Sequence, residues 1–127
     1  MPDYADALLT SLGADVRRAA GGRSPHPALE WARSGAMALT GSADGPPLLA
    51  PAPLASCAAA AAAALERLAG KRLPVDGARL LGERAAIFGL ERRGSIAPSG
   101  SCRLLATADG WIAANLARPD DVALLPA

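Results

Sequence analysis

The chain has 127 residues, a formal net charge of +1 and 20% charged residues, which suits one domain and argues against a basic nucleic-acid binder. Although 51% of the residues are hydrophobic, 32 are alanine and four are aromatic, so the predicted core buries little apolar area. No window of about 18 apolar residues lacks polar interruption, which excludes a transmembrane helix, and the acidic N-terminus does not resemble a secretory signal. The two cysteines imply neither a disulfide framework nor a metal site, so we expect a reducing, cytoplasmic setting.

The first half of the chain predicts two helices and a long loop. Apolar residues at helical spacing favour a helix over residues 3–20, with a pair of glycines ending it. A loop over residues 23–27 separates it from a short second helix that begins at Ala28. Glycine, proline and alanine dominate residues 42–53, which we interpret as an extended loop.

An alanine-rich segment is the most distinct element of the sequence. Leu54 to Ala69 contains seven consecutive alanines, has high helix propensity throughout and is followed by Gly70, a favourable C-cap residue. Ser56 is predicted to be its N-cap, because a serine hydroxyl accepts a hydrogen bond from a free N–H of the first turn. Two interpretations stay open: simple low complexity, or a thin helix packed closely against a sheet or a partner.

The second half predicts a short strand at best over residues 72–75. A helix over residues 77–90 follows, and Asp76 is predicted to cap it. The apolar face of this helix contains Leu80, Leu81, Ile87 and Phe88. Segments 102–107 and 111–116 predict a β-hairpin, because Asp109-Gly110 suits a tight primed turn. Pro119 is favourable at the start of a last helix, which would run past the end of the chain and so indicates part of a larger fold. The predicted fold class is α/β, an α+β fragment with helices around a small sheet and a C-terminal β-hairpin.

The residue types that usually carry catalysis form no recognisable constellation. His26, the only histidine, lies between two prolines and is predicted to be a surface residue, since a catalytic triad also needs a nucleophile and an acid. The sequence contains no phosphate-binding glycine loop. Cys102 lies in an apolar strand and is predicted to be a small buried residue. Packing is the preferred role for Cys57, and an enzyme that uses Cys57 as its nucleophile is an alternative.

Three segments resemble the class III CoA-transferase family (CaiB/BaiF), which includes formyl-CoA transferase and α-methylacyl-CoA racemase. Residues 32–41 with 44–47 resemble its ASGLMxLTGxPDGPP segment, and residues 52–67 resemble its PLAD motif and alanine-rich helix. Residues 103–111 resemble its YRTADGW hairpin. The resemblance covers residues 28–126, so we divide the chain into an N-terminal helix and loop, 1–27, and a partial CoA-transferase-like domain, 28–127.

The resemblance implies transfer of CoA between an acyl-CoA and a carboxylic acid, or racemisation of an acyl-CoA. It places the catalytic aspartate of the PLAD motif at Ser56, and because serine cannot form the acyl anhydride, the chain is expected to be catalytically incomplete. It further implies coenzyme A as a substrate group rather than a permanent cofactor, and a homo-oligomer or association with the rest of the enzyme. Charge, hydropathy and residue spacing predict no nucleic-acid partner, no membrane partner and no metal. The alternative is a non-catalytic structural or interaction subunit that packs against a larger α/β partner.

Overall fold

A computed structural model of the chain describes residues 4–14 and 26–124, and the elements in them combine helices with one antiparallel sheet. The α-helices are α1 (Tyr4–Ser11), α2 (Pro27–Arg33), α3 (Leu54–Ala69), α4 (Leu80–Ile87) and α5 (Pro119–Ala123), with a 3-10 helix at Ala36–Leu39. The strands are β1 (Cys102–Ala106) and β2 (Trp111–Asn115). The mixed class of fold and its C-terminal β-hairpin are therefore confirmed.

Helix α1 is shorter than predicted because Gly13 ends it. Gly13 has φ 67°, a left-handed conformation that glycine adopts without strain, and the next amide, of Ala14, donates to the carbonyl of Leu9 at 3.0 Å. This hydrogen bond closes a Schellman-type C-terminus. The remainder of the predicted first helix, the glycine pair expected to end it and most of the following loop lie outside the described residues.

Helix α2 begins at Pro27, one residue before its predicted start at Ala28. Its N-cap is His26, which is exposed as expected and whose Nδ1 accepts a hydrogen bond from the amide of Ala28 at 3.3 Å. At its other end, the Ser34 hydroxyl donates to the carbonyl of Trp31 (2.7 Å) and accepts from the amide of Ala36 (3.2 Å). These bonds lead the chain from α2 directly into the 3-10 helix.

Helix α3 has the predicted bounds, and Gly70, with φ 65°, is its C-cap. The prediction that Ser56 is the N-cap is wrong. The N-cap is Pro53, so Ser56 is the third residue of the helix, where its hydroxyl no longer lies in the capping position.

The helices pack around α3, which contacts α1, α2 and α4. Small side chains make this possible, since Ala55 and Ala64 are buried on α3. The alanine run therefore packs against helices of its own chain rather than against a sheet. Two small apolar clusters result, the first formed by Trp31, Ala36, Ala55 and Ala78 and the second by Ala5, Leu9 and Ala64.

The segment between α3 and α4 contains no strand, so the expected strand over residues 72–75 is wrong. The amide of Leu73 instead donates to the carboxylate of Glu66 at 2.9 Å, which turns this segment back onto α3. Asp76 does cap the following turn, as its Oδ1 accepts from the amide of Arg79 (3.2 Å) and its carbonyl accepts from that of Leu80 (3.2 Å).

Helix α4 spans eight residues, fewer than predicted, and its predicted apolar face is exposed rather than packed into the core. The buried residue of α4 is Gly82. Its backbone lies so close to that of Ser34 that a Cβ at this position would be only 2.7 Å from the Ser34 carbonyl oxygen. The close contact with the backbone before the 3-10 helix leaves the larger side chains in solvent. The exposed set comprises Leu80, Leu81, Ile87 and Phe88.

The hairpin pairs Cys102 with Asn115 and continues to Ala106 with Trp111. The turn is tight, with the amide of Thr107 donating to the carbonyl of Gly110 at 2.9 Å. It is not a primed turn, because Gly110 is not among the positive-φ glycines and no described non-glycine residue has positive φ. Neither strand contacts a described helix.

Helix α5 begins with Pro119 as predicted. The amide of Arg118 donates to Asp121 Oδ2 at 2.8 Å, so the acid in the first turn satisfies the backbone at the helix start. Of the helices in the described part of the chain, none is long and apolar enough to cross a membrane.

Candidate functional site

The cysteine of the hairpin is the centre of the candidate site. Cys102 is the first residue of β1, carries a free thiol and is half-buried, so the expectation of a buried Cys102 is wrong. Its cross-strand partner is Asn115, which is exposed. Side chains of directly paired residues lie on the same face of a sheet, so the thiol and the carboxamide share one surface.

The hydrogen-bond pattern places this pair where cross-strand side chains come closest. In the same hairpin, the amide of Leu116 donates to Ser101 (2.9 Å) and that of Thr107 donates to Gly110 (2.9 Å). Hydrogen-bonded and non-hydrogen-bonded pairs alternate along antiparallel strands, and the non-hydrogen-bonded pairs have the shorter Cα separation. Counting from either of these bonds, Cys102 and Asn115 form a non-hydrogen-bonded pair.

The backbone of Cys102 is also held on its other side. Its carbonyl accepts from the amide of Ala97 at 2.8 Å, and the amide of Leu104 donates to the carbonyl of Ser95 at 2.8 Å. Cys102 therefore lies between β2 and the segment before β1, which fixes the position of the thiol from two directions.

An exposed apolar surface extends from the thiol along the same face. Alternation places Leu104 on the face of Cys102, and the register places Ala113 and Trp111 there too. Leu104 is 49% exposed and Trp111 is 69% exposed. A chain approaching the thiol would meet apolar side chains next to it.

The other cysteine lies in a different setting. Cys57 is the fourth residue of α3 and is half-buried, and its amide closes the first turn by donating to the carbonyl of Pro53 at 2.9 Å. Helical spacing puts it on the same stripe as Ala60 and Ala64, which pack in the cluster with α1. This position agrees with the packing role expected for Cys57. Because α3 and β1 are not in contact, the structure does not bring the two cysteines together.

Ser56, the predicted catalytic position, lies beside Cys57 in α3. Its hydroxyl oxygen is buried and has no hydrogen-bond partner. No described contact links it to the Cys102–Asn115 pair, since the helix and the hairpin do not touch.

Asn115 is the site residue that sequence reasoning missed. A turn over residues 108–110 would pair Cys102 with Leu116, whereas the observed register pairs it with Asn115. The Asp-Gly pair indicated the hairpin, and only a correct turn length would have identified the partner. In the part of the chain that the structure describes, no group of three or more His, Cys, Asp or Glu side chains is arranged to hold a metal ion.

Comparison with protein families finds a match that covers most of the chain. The model of the family described as Prokaryotic E2 family C matches residues 31–126. No curated protein matches the chain, and no solved structure does.

This match overturns the resemblance to class III CoA-transferases, because it assigns the same residues to a different family. The motifs that suggested the resemblance consist mainly of alanine, leucine, glycine and proline, residues that the composition of this chain makes frequent. The predictions of CoA transfer and of acyl-CoA racemisation are therefore wrong. The resemblance was the only argument for placing the catalytic aspartate at Ser56. It was also the only argument for acyl-CoA and carboxylic acid substrates.

Proposed function

We propose, since this chain belongs to the prokaryotic E2 family C, that it is an E2-like protein of a ubiquitin-type conjugation system. In this proposal Cys102 accepts the C-terminus of a ubiquitin-like protein as a thioester and passes it to an amine. The observation that carries the assignment to Cys102 is its pairing with Asn115 on an exposed face of the hairpin.

The proposed chemistry consists of two acyl transfers. The thiolate of Cys102 attacks the carbonyl carbon of a thioester that joins the modifier to an activating enzyme. As the new C–S bond forms, the old one breaks and the donor thiol leaves with a proton. In the second transfer an amine of the acceptor attacks, an amide forms, and Cys102 regains its proton as a free thiol.

Asn115 has the chemistry to assist both transfers. Each one passes through a tetrahedral intermediate whose oxygen carries a negative charge, and an amide N–H that points at this oxygen stabilises it. The register puts the Asn115 carboxamide next to the thiol on the same face. We assign Asn115 as the donor of this hydrogen bond.

Accessibility favours Cys102 over Cys57 as the carrier. The thiol must meet a macromolecular donor, and the face around Cys102 is exposed at Leu104 and Trp111. Cys57 shares a stripe with residues packed against α1. A thioester carrier also needs a reduced thiol, so the proposal includes a cytoplasmic location.

The test uses the full chain and ubiquitin whose C-terminus is a thioester of 2-mercaptoethanesulfonate. We expect intact-mass spectrometry to detect a ubiquitin adduct on Cys102 that dithiothreitol removes. Cys102→Ala should abolish the adduct, and the matched variant Cys57→Ala should retain it. Asn115→Ala should slow adduct formation by about 10-fold or more, given the usual effect of removing an oxyanion donor.

Alkylation by iodoacetamide separates catalysis from exposure of the thiol. Asn115→Ala should leave the alkylation rate of Cys102 unchanged while it slows transfer of ubiquitin. An adduct on Cys57 alone would contradict the assignment to Cys102. Absence of any adduct, with both thiols still open to alkylation, would contradict the carrier function.

A further inference from the structure

A cleft on the helical part of the molecule lies apart from the cysteine site. It is formed by the end of α2, the 3-10 helix and α4, has a volume of about 480 Å³ and is open along one side. Neither strand of the hairpin contributes to its lining. Pockets of this volume are within the range that holds ligands.

Two arginines line the cleft and keep their guanidinium groups available. The Arg33 side chain is 72% exposed, and its ion pair with Glu30 has a separation of 4.0 Å, which is too long for a hydrogen bond. Arg79 is exposed, and in the described part of the chain no carboxylate pairs with it. Against these two cations the lining contains a single acid, Glu83.

The rest of the lining is largely apolar. Leu39 and Leu90 are half-buried in its wall, and Ile87, at its edge, is 75% exposed. An arginine fork pairs with a carboxylate through two parallel hydrogen bonds, while aliphatic side chains favour an apolar group. The lining therefore complements a ligand that has a carboxylate next to an apolar side chain.

We propose that this cleft binds a short acidic and apolar peptide segment of a partner protein. Arg33 and Arg79 pair with its carboxylates, and Leu39, Ile87 and Leu90 contact its apolar side chains. The open side of the cleft suits a continuous chain, which enters and leaves without being enclosed. This inference is independent of the cysteine chemistry, since the two sites share no residue.

The test measures fluorescence anisotropy of a fluorescein-labelled peptide, Asp-Leu-Glu-Leu-Leu, titrated with the full chain. We expect saturable binding that weakens when salt is added. The double variant of Arg33→Ala and Arg79→Ala should lose affinity by at least about 10-fold, which corresponds to two disrupted charge-assisted contacts. The charge-matched control, Arg84→Ala with Arg103→Ala, removes two arginines outside the lining and should change affinity by less than about 2-fold.

Two further peptides and one small molecule test the chemistry of recognition. We expect weaker binding of Asn-Leu-Gln-Leu-Leu, which lacks the acidic side chains, and of Asp-Ser-Glu-Ser-Ser, which lacks the apolar ones. The variant Ile87→Ser should bind the parent peptide more weakly than the unaltered chain does. No saturable binding of the parent peptide, or equal losses in the two double variants, would overturn the proposal. Tighter binding of octanoate than of any peptide would assign the cleft to a small carboxylate and overturn the peptide assignment.

Discussion

Two glycines, Gly77 and Gly82, allow close approaches between helices and neighbouring backbone. A Cβ on Gly77 would lie 2.7 Å from the Cβ of Ala62 and still closer to the carbonyl oxygen of Ala58, and one on Gly82 would lie 2.9 Å from the carbonyl carbon of Gly35. Backbone atoms cannot rotate out of the way as the end of a flexible side chain does. Because it has no side chain, Gly77 lets its segment approach α3, and for the same reason Gly82 lets α4 approach the backbone before the 3-10 helix.

Substitution of Gly77 tests this explanation. Gly77→Ala should lower the free energy of unfolding by about 2 kcal/mol, because the added methyl group overpacks the contact with α3. The measurement is urea denaturation followed by circular dichroism. Gly110→Ala is the matched control: a Cβ there meets nothing within 4 Å, so its effect should stay within about 0.5 kcal/mol. Equal losses in the two variants would show that the close approach does not limit stability.

At the scale of elements, α1 packs on α3 through apolar contacts and an ion pair. Leu9, 3% exposed, packs with Ala64 in the second cluster. Arg67 Nη1 lies 2.6 Å from Asp6 Oδ1, with both side chains partly buried. A half-buried pair of this kind orients the two helices, while the leucine contributes most of the buried apolar area.

Removing the leucine should loosen α1. Leu9→Ala should cost about 2–4 kcal/mol, since the alanine-rich surroundings have few long side chains with which to fill the cavity. Leu12→Ala provides the comparison on the same segment, because Leu12 is 64% exposed and its loss should cost less than about 0.5 kcal/mol. Urea midpoints of the two variants measure the difference. If Leu9→Ala had no larger effect than Leu12→Ala, the docking of α1 would not depend on this contact.

At the scale of the whole molecule, the helices and the hairpin are supported unequally. The helical layer contains both apolar clusters. The hairpin contacts no described helix and exposes apolar side chains on both faces, with Trp111 on one face and Ile112 on the other. An isolated two-stranded hairpin is marginally stable in water. The surface that carries Cys102 is therefore less packed than the helical layer.

Hydrogen exchange should reveal this difference. Amides of β1 and β2 should exchange at least about 100-fold faster than those in the centre of α3, because opening the hairpin breaks few apolar contacts. Exchange mass spectrometry of the intact chain resolves the two regions. Equal protection of the hairpin and α3 would mean that both open in one cooperative unit.

The sequence by itself determined those features that depend on neighbouring residues. Leu54 to Ala69 forms a helix and Gly70 ends it because alanine propensity and a left-handed glycine act locally. Pro119 starts α5 for the same reason, and the Asp-Gly pair marked the hairpin. Composition also misled, since short motifs rich in alanine, glycine and proline suggested a family that the match over residues 31–126 does not support.

Only the tertiary structure decided which side chains meet. Spacing alone favoured an apolar face on α4, but backbone contact at Gly82 leaves that face exposed. The observed register pairs Cys102 with Asn115 instead of Leu116, because a shift of one residue changes every cross-strand partner. The candidate site depends on that register, which is set by the geometry of the turn and the pairing of the strands rather than by the propensity of any single residue.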